Sequence, residues 1–497
     1  MARNSFWYGL ELGFSVFAAF LTSIIVARAI GPVRLGPFNY VMWLTNITTT
    51  VGSLGLPMTT RKYMAEHLNR GEAGVAHAIY RFALKLQVLI SIAILFLAVG
   101  LVFVSGDPGY HLISILLVLS LTPRMIGFIP SQANSAAEMM RWNTAPSVIG
   151  AGINVGITLF SIWVGWGLVG VAASVAAGAI VETTLKLRSV HGWLGSTPVD
   201  PISPALKRRL FSYSGQGLVL MLLNVVVWDR SDMVILKSMN SDIRQITFFS
   251  IAFNLSDRLL KLPEAFGNSL SVTMMAQYGR GQDRLRQLTT VGAKYSFLLA
   301  LPLLAGTACL SRPVVGLLYG SAYRPLIPVL TVAALLAIPK ALIASPTALL
   351  QATESQGFLI WAGCLCGALD IGMDIWLTPT YGALGAAIAN GTAQTAAAVA
   401  IWYRVHRIYG MNPLFRSLGR IATSGALMAA VVLLIGYVVP GWIGMIVSVV
   451  AGALVWCVTL RWLGALDESD RERFLHVGKV LPTKARPVFN RMVALLA

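Results

Sequence analysis

Asp257, Arg258, Lys261 and Glu264 fall within two helical turns of one another, in a stretch that is otherwise largely apolar. On a helix, Arg258 and Lys261 are neighbours, and Asp257, Lys261 and Glu264 share a face. Ionised groups surrounded by apolar residues are costly and face either one another or a polar cavity. Two chemistries fit. The charges can form an internal ion network that ties helices together, or they can line a cavity for an anion. Arg124, between Pro123 and Pro130, and Lys340, directly after Pro339, extend the cationic set. An arginine fork suits phosphate because its planar donors meet two oxygens at once. Arg124, Arg258, Lys261 and Lys340 are therefore the candidate anion-binding residues.

The acidic residues suggest a second chemistry. Asp370 and Asp374 are one helical turn apart, so their carboxylates point the same way. In apolar surroundings one of such a pair holds a proton. With Glu11, and with Asp257 and Glu264, they are candidates for a coupling H⁺ or Na⁺, or for salt bridges to Arg124 or Lys340. Arg61, Asp229, Arg230 and Asp232 stand at the ends of apolar segments and read as gate or lobe-end charges. Nothing resembles a catalytic constellation. All six histidines (67, 77, 111, 191, 406 and 476) lie in loops or near segment ends, and neither a GxxxxGK[ST] nor an HExxH sequence occurs. Cys309, Cys364, Cys366 and Cys457 sit in apolar stretches without companion ligands and read as small buried hydrophobes rather than a metal site.

The elements that must position these residues are set by composition. Of 497 residues, 56% are hydrophobic and only 12% charged, against about 25% charged in soluble domains. That excludes a soluble enzyme and a disordered chain. A spanning helix needs about 20 mostly apolar residues. Fourteen segments qualify: 6–28, 37–60, 80–104, 110–133, 145–164, 167–187, 211–236, 246–270, 294–312, 325–347, 358–378, 382–403, 418–439 and 443–463. The second is the least hydrophobic. The tenth, with Pro328, Pro339 and Pro346, must be bent or broken. With the N-terminus placed in the cytoplasm, Lys and Arg favour the inner segments by about four to one. This bias puts both termini inside and accounts for most of the net charge of +18, so no nucleic-acid partner is needed. The tail, 464–497, reads as a basic amphipathic helix on anionic membrane lipids.

An internal echo points to two lobes. Gly167-Leu-Val-Gly170-Val-Ala172 and Gly382-Ala-Leu-Gly385-Ala-Ala387 both open a span after a short outer turn, six spans apart. A repeat offset by an even number of spans keeps its orientation, so its pseudo-twofold runs along the membrane normal. The expected architecture is an all-α polytopic membrane protein. It has an N-terminal six-helix lobe (1–187), a cytoplasmic linker (188–209), a second six-helix lobe (210–404), two added helices (405–463) and the tail.

Several motifs, taken in order, resemble a known family. They are Ala27-Arg-Ala-Ile-Gly31-Pro-Val-Arg-Leu-Gly36-Pro-Phe38-Asn-Tyr40, Gly52-Ser-Leu-Gly55-Leu-Pro57 with Arg61-Lys-Tyr-Met-Ala65-Glu66, Ser231-Asp232-Met-Val-Ile-Leu, Leu318-Tyr319-Gly320-Ser-Ala-Tyr323-Arg-Pro325, and Tyr381-Gly382-Ala-Leu-Gly385-Ala-Ala-Ile-Ala. This set is similar to the bacterial polysaccharide-export flippases (the Wzx-type O-antigen and exopolysaccharide proteins). Their superfamily also holds multidrug antiporters and the lipid II flippase. The resemblance implies two six-helix lobes in a V, usually with two further helices. It implies a non-enzymatic transporter of the bacterial inner membrane. Such a protein moves an isoprenoid-diphosphate-linked oligosaccharide from the cytoplasmic to the periplasmic leaflet by alternating access, with a polysaccharide polymerase and chain-length proteins as possible partners. A cation-coupled drug or metabolite antiporter, or a lipid II flippase, is the alternative on the same fold. Asn224, Trp228, Asn254, Asn268 and Gln277 are then candidate sugar contacts.

Overall fold

The computed structural model describes residues 2–105, 108–228, 232–239, 242–276, 282–353, 355–410, 415–468 and 470–473. Every regular element among them is helical. The chain divides into two compact units, Met1–Arg230 and Ser231–Ala497. By length and composition, 11 helical segments among the described residues can cross a membrane. Large apolar side chains such as Trp163, Tyr437 and Trp462 stand fully outward. In water such a surface would aggregate; in a bilayer it meets hydrocarbon. The protein is an all-α, multi-pass membrane protein.

The first unit contains α1 (Ala2–Ile30), α2 (Pro32–Gly52), α3 (Leu56–Asn69), α4 (Ala73–Ser105), α5 (His111–Leu119), α6 (Leu121–Ala136), α7 (Arg141–Val164), α8 (Gly167–Leu194) and α9 (Pro204–Trp228). Segment 37–60, expected as one span, is two helices. α2 ends at Gly52, and α3 starts after a turn in which Leu54 and Gly55 take φ of 49° and 71°. A β-carbon at Gly55 would strike the Ser214 carbonyl on α9, so this turn needs glycine for both its φ and its close approach. Pro57 in the first turn of α3 then restarts the helix. The threonines that make α2 so polar turn their hydroxyls back on the helix: Thr45 and Thr49 donate to the Val41 and Thr45 carbonyls at 2.8 and 2.7 Å. Their polarity is thereby satisfied internally. Segment 110–133 is likewise divided at Ser120 into α5 and α6.

The boundary between units falls one helix later than the 210 expected from hydropathy. α9 belongs with the first unit because its start is locked there. Ser214 Oγ donates to the Leu54 carbonyl at 2.6 Å, and Leu206 and Leu210 enter the core made by Leu56, Tyr63, Ile79 and Ile129. The stretch 188–209, expected as a linker, is held as well. Val190 and Leu194 are buried in that core, and the Asp200 amide donates to the Gly74 carbonyl at 3.2 Å.

The second unit contains α10 (Asp232–Met239), α11 (Arg244–Ala276), α12 (Gln282–Cys309), α13 (Ser311–Val314), α14 (Leu326–Ala337), α15 (Ala344–Ala352), α16 (Gln356–Tyr381), α17 (Ala383–Tyr409), α18 (Phe415–Val438) and α19 (Gly441–Trp462). Segment 325–347 is broken as its prolines predict: a 3₁₀ turn, Pro339–Leu342, separates α14 from α15. Of the segment expected at 211–236, residues up to 228 lie in α9 and residues from 232 in α10, while 229–231 lie outside the described residues. Cys364 and Cys457 are exposed on helix surfaces, contrary to the buried role expected of all four cysteines.

The glycine echo has a structural counterpart. Gly167 and Gly382 take φ of +57° and +55°. A β-carbon at Gly170 would meet Ser161 on α7, and one at Gly385 would meet the Leu377 carbonyl on α16. In each unit the second glycine of the motif therefore lets a helix fold closely back on its predecessor.

Beyond α19, a polar latch fixes residues 464–473; the rest of the tail, 474–497, lies outside the described residues. The Asp470 carboxylate receives Lys294 Nζ at 2.5 Å and the Tyr295 hydroxyl at 2.6 Å, both from α12. The Asp467 amide donates to it at 2.9 Å. Burial opposes ionisation of Asp470, but these donors outweigh it and hold the group below the ordinary carboxylate range. A depressed carboxylate contributes stability above its unfolded pKa of about 3.9, and that contribution is lost as pH falls through the folded value. Hydrogen-exchange protection of 464–473 is therefore expected to vanish on acidification from pH 5 to about pH 2 while the spans stay protected. Asp470→Asn should weaken the same protection at neutral pH by about 1.5–3 kcal/mol.

Candidate functional site

In the first unit, α6 presents Arg124 between two prolines. Pro123 cannot donate a backbone hydrogen bond, and its carbonyl receives Thr183 Oγ1 from α8 at 2.6 Å. Arg124 Nη1 donates to Asn46 Oδ1 on α2 at 2.7 Å. That is the one hydrogen bond of its guanidinium among the described residues, out of five donors that an arginine carries. Glu182 on α8 lies close enough for electrostatic attraction, but it is claimed by others: its Oε1 accepts from Lys186 Nζ at 2.6 Å and from Ser147 Oγ at 2.9 Å. Arg124 thus has further guanidinium donors that meet no acceptor among the described residues. Glu11 accepts from Thr144 Oγ1 at 3.3 Å. Sequence reasoning missed Glu182, Lys186 and Asn46. The Glu182–Lys186 spacing of one helical turn was the visible signal for them.

In the second unit the span-depth charges of α11 meet Lys340. The 3₁₀ turn after α14 turns Lys340 towards α11, where its Nζ lies 3.3 Å from Asp257 Oδ1 and 3.9 Å from Glu264 Oε1. Lys261 Nζ stands 3.2 Å from Asp257 Oδ2 and 3.3 Å from Glu264 Oε2. Two cations and two carboxylates therefore neutralise one another, as the ion-network alternative describes. Arg258 is half-buried beside them on α11. A cavity of about 30 Å³ lies against this cluster, lined by Ser256, Asp257, Lys340, Asn390 and Gln394 among others. That is room for a water or two. Gly391 makes the approach possible, since a β-carbon there would fall on Leu336 of α14.

The same wall continues into a set of buried acids. Gln394 Nε2 donates to Asn390 Oδ1 at 2.7 Å, and Asn390 Nδ2 to Asp232 Oδ2 at 3.4 Å. Asp232 in turn lies within electrostatic reach of Asp374 and Asp370. All three aspartates are essentially inaccessible, at 0%, 2% and 0% for Asp232, Asp370 and Asp374. Thr378 Oγ1 donates to Asp374 Oδ1 at 3.0 Å. Among the described residues, no donor reaches Asp232 Oδ1 or Asp374 Oδ2. Asp232, expected as a lobe-end charge, is thus a member of the Asp370–Asp374 group. Lys340, one suggested partner of those acids, is committed to Asp257 and Glu264.

Arg61 is exposed on α3. Asp229 and Arg230 lie outside the described residues, as do the side chains of Asn224, Trp228, Asn268 and Gln277. Asn254 is half-buried on α11. No group of three or more His, Cys, Asp or Glu among the described residues could hold a metal ion.

A sequence profile described as "Polysaccharide biosynthesis protein" matches residues 25–328. No curated protein gives a sequence match. Among solved structures, the chain is similar to a lipid II flippase, MurJ, in an inward closed conformation, with TM-score 0.72, 14% identity, and 92% of this chain and 98% of that chain covered. It is also similar to a multidrug resistance MATE family transporter of the MOP superfamily. The inward-facing form gives TM-score 0.68, 14% identity and coverage of 81% and 98%; the outward-facing form gives 0.60, 13%, 82% and 96%. At such identities the likeness is one of fold.

The geometry makes a stability prediction. Lys340→Ala should leave two carboxylates short of a cation and cost about 1–3 kcal/mol, read as a lower melting temperature in detergent. Adding Asp257→Asn to Lys340→Ala should recover part of the loss. A single variant that melts like wild type would show that the cluster does not hold the unit together.

Proposed function

Because this chain belongs to the polysaccharide biosynthesis protein family, we propose that it is a flippase for an isoprenoid-diphosphate-linked oligosaccharide. In this proposal it moves the headgroup from the cytoplasmic to the periplasmic leaflet of the bacterial inner membrane, with both termini in the cytoplasm. The observation that carries the reading is Arg124: a span-depth guanidinium held by neutral Asn46, with donors left over. A sugar diphosphate cannot cross hydrocarbon alone, because its charges and hydroxyls would lose their water. A carrier must supply fixed donors in place of that water, and it need make or break no covalent bond. Arg124 offers the planar fork that phosphate oxygens accept. Lys261 and Lys340 already hold carboxylates, so they serve the anion second, if their acids let go. The fold shared with transporters solved inward- and outward-facing supports alternating access.

Coupling falls to Asp232, Asp370 and Asp374 in this reading. Their donors are all oxygen, which suits a proton or a hard cation such as Na⁺. The grouping of these buried acids favours a proton, because adjacent carboxylates away from water resist ionising together. Uptake from the periplasm and release inside would bias the two conformations by the free energy of the gradient.

The test is a leaflet assay in proteoliposomes carrying a labelled isoprenoid-diphosphate oligosaccharide. Wild-type protein should move label to the lectin-accessible leaflet. Arg124→Ala should slow it at least tenfold, and Arg124→Lys by less. Asp374→Asn should remove the response to a pH gradient while leaving slow equilibration intact. Folded wild-type protein without crossing would overturn the flippase reading and leave the cation-coupled antiporter. A response to Na⁺ but not to pH would replace the proton with sodium.

A further inference from the structure

A second anion-binding feature stands apart from every group above, on the outer surface of the first unit. Lys62 Nζ on α3 lies 3.9 Å from the ring centre of Tyr213 on α9 and 5.4 Å from that of Tyr63. Arg209 on α9 approaches the same Tyr63 ring, also at 5.4 Å. The two rings meet edge to face at 5.9 Å, and Phe82 of α4 meets Phe211 of α9 the same way at 5.6 Å. Two cations are thus steered to one aromatic ring. Around them stand Arg61, Arg81, Lys85 and Arg208, all exposed. Among the described residues, none of these six is paired with a carboxylate. Ring faces attract cations but do not cancel their charge, and like charges one turn apart on a helix, such as Arg81 and Lys85, repel. The arrangement is complete only with an anion.

The depth of the patch says which anion. Along the exposed stripe of α4, Arg81 and Lys85 give way at the next turns to Leu89, Ile92 and Phe96, all outward-facing. On α9, Arg208 gives way to Phe211, Val219 and Leu222, outward-facing too. Both helices therefore pass from basic to apolar on one face within a few turns. That is the profile of a helix leaving the headgroup layer for hydrocarbon. A soluble acidic protein or a nucleic acid would ask for a basic face continued by a polar one.

We propose that Lys62 and Arg209, with the flanking bases of α3, α4 and α9, form a binding site for the phosphate headgroup of an anionic phospholipid, whose chains lie along the apolar stripes beneath. The bound lipid bridges α3, α4 and α9 and screens the repulsion among their cations. It lies outside the polar interior and takes no part in transport chemistry.

Native mass spectrometry of protein extracted from nanodiscs of phosphatidylglycerol and phosphatidylcholine tests the site. Wild type should retain phosphatidylglycerol in preference to phosphatidylcholine. Lys62→Gln with Arg209→Gln should lower the retained phosphatidylglycerol at least threefold, Tyr213→Leu should lower it by less, and Lys62→Arg with Arg209→Lys should keep it. Arg312→Gln, in the other unit, should change nothing. Far-ultraviolet circular dichroism and gel filtration confirm that each variant is folded. Equal retention in wild type and the double Gln variant would overturn the proposal, as would indifference to headgroup charge. Displacement of the retained lipid by an isoprenyl phosphate at equal concentration would overturn the phospholipid assignment and make the patch a substrate-capture site.

Discussion

Hydrocarbon offers no partner to an ionised side chain, and this single constraint organises the interior of the protein. A charge at span depth must find its complement within the chain or within a ligand. The second unit meets the constraint internally: Lys261 and Lys340 share Asp257 and Glu264 between them. The first unit meets it partly. Glu182 is satisfied by Lys186 and Ser147, while Arg124 rests on an uncharged amide. Asp232, Asp370 and Asp374 are buried, with Asn390 and Thr378 donating to the first and last of them.

Breaks in the helices are what bring these groups together. Lys340 reaches α11 because Pro339 ends α14 and a 3₁₀ turn follows. Arg124 stands where α6 begins after the Ser120 break, with Thr183 occupying the carbonyl of Pro123. In a membrane such irregular backbone survives only inside protein or beside a polar cavity. Side chains of neighbouring helices take up carbonyls at the breaks, Thr183 that of Pro123 and Trp402 that of Leu342, and each break sets the angle at which the charge beside it enters the interior.

Glycine supplies the remaining freedom. At Gly55 a left-handed turn lets α3 begin against the backbone of α9, which is why α9 sits with the first unit. At Gly170 and Gly385 the same close return of one helix on another occurs in both units. Small residues do in a membrane what apolar bulk does in water, because dispersion contact between backbones is the attraction that lipid cannot match.

Hydropathy and charge bias, both properties of single segments, were enough to read an all-helical membrane protein, its broken tenth segment and the placing of Arg124, Lys340, Asp370 and Asp374 within apolar segments. The glycine echo was legible for the same reason, since close helix return needs a missing β-carbon at a set spacing. Pairing was not legible. Whether Lys261 faces an acid or a substrate, that Glu182 and Asn46 flank Arg124, and that Asp232 joins two acids far along the chain depend on which helices pack together. Sequence spacing constrains neighbours one turn apart on a helix; contacts across helices are set by the packing of whole surfaces, and only the tertiary structure decides them. The start of α9 shows the limit most directly: its partner across the turn at Gly55 was invisible until the chain was folded.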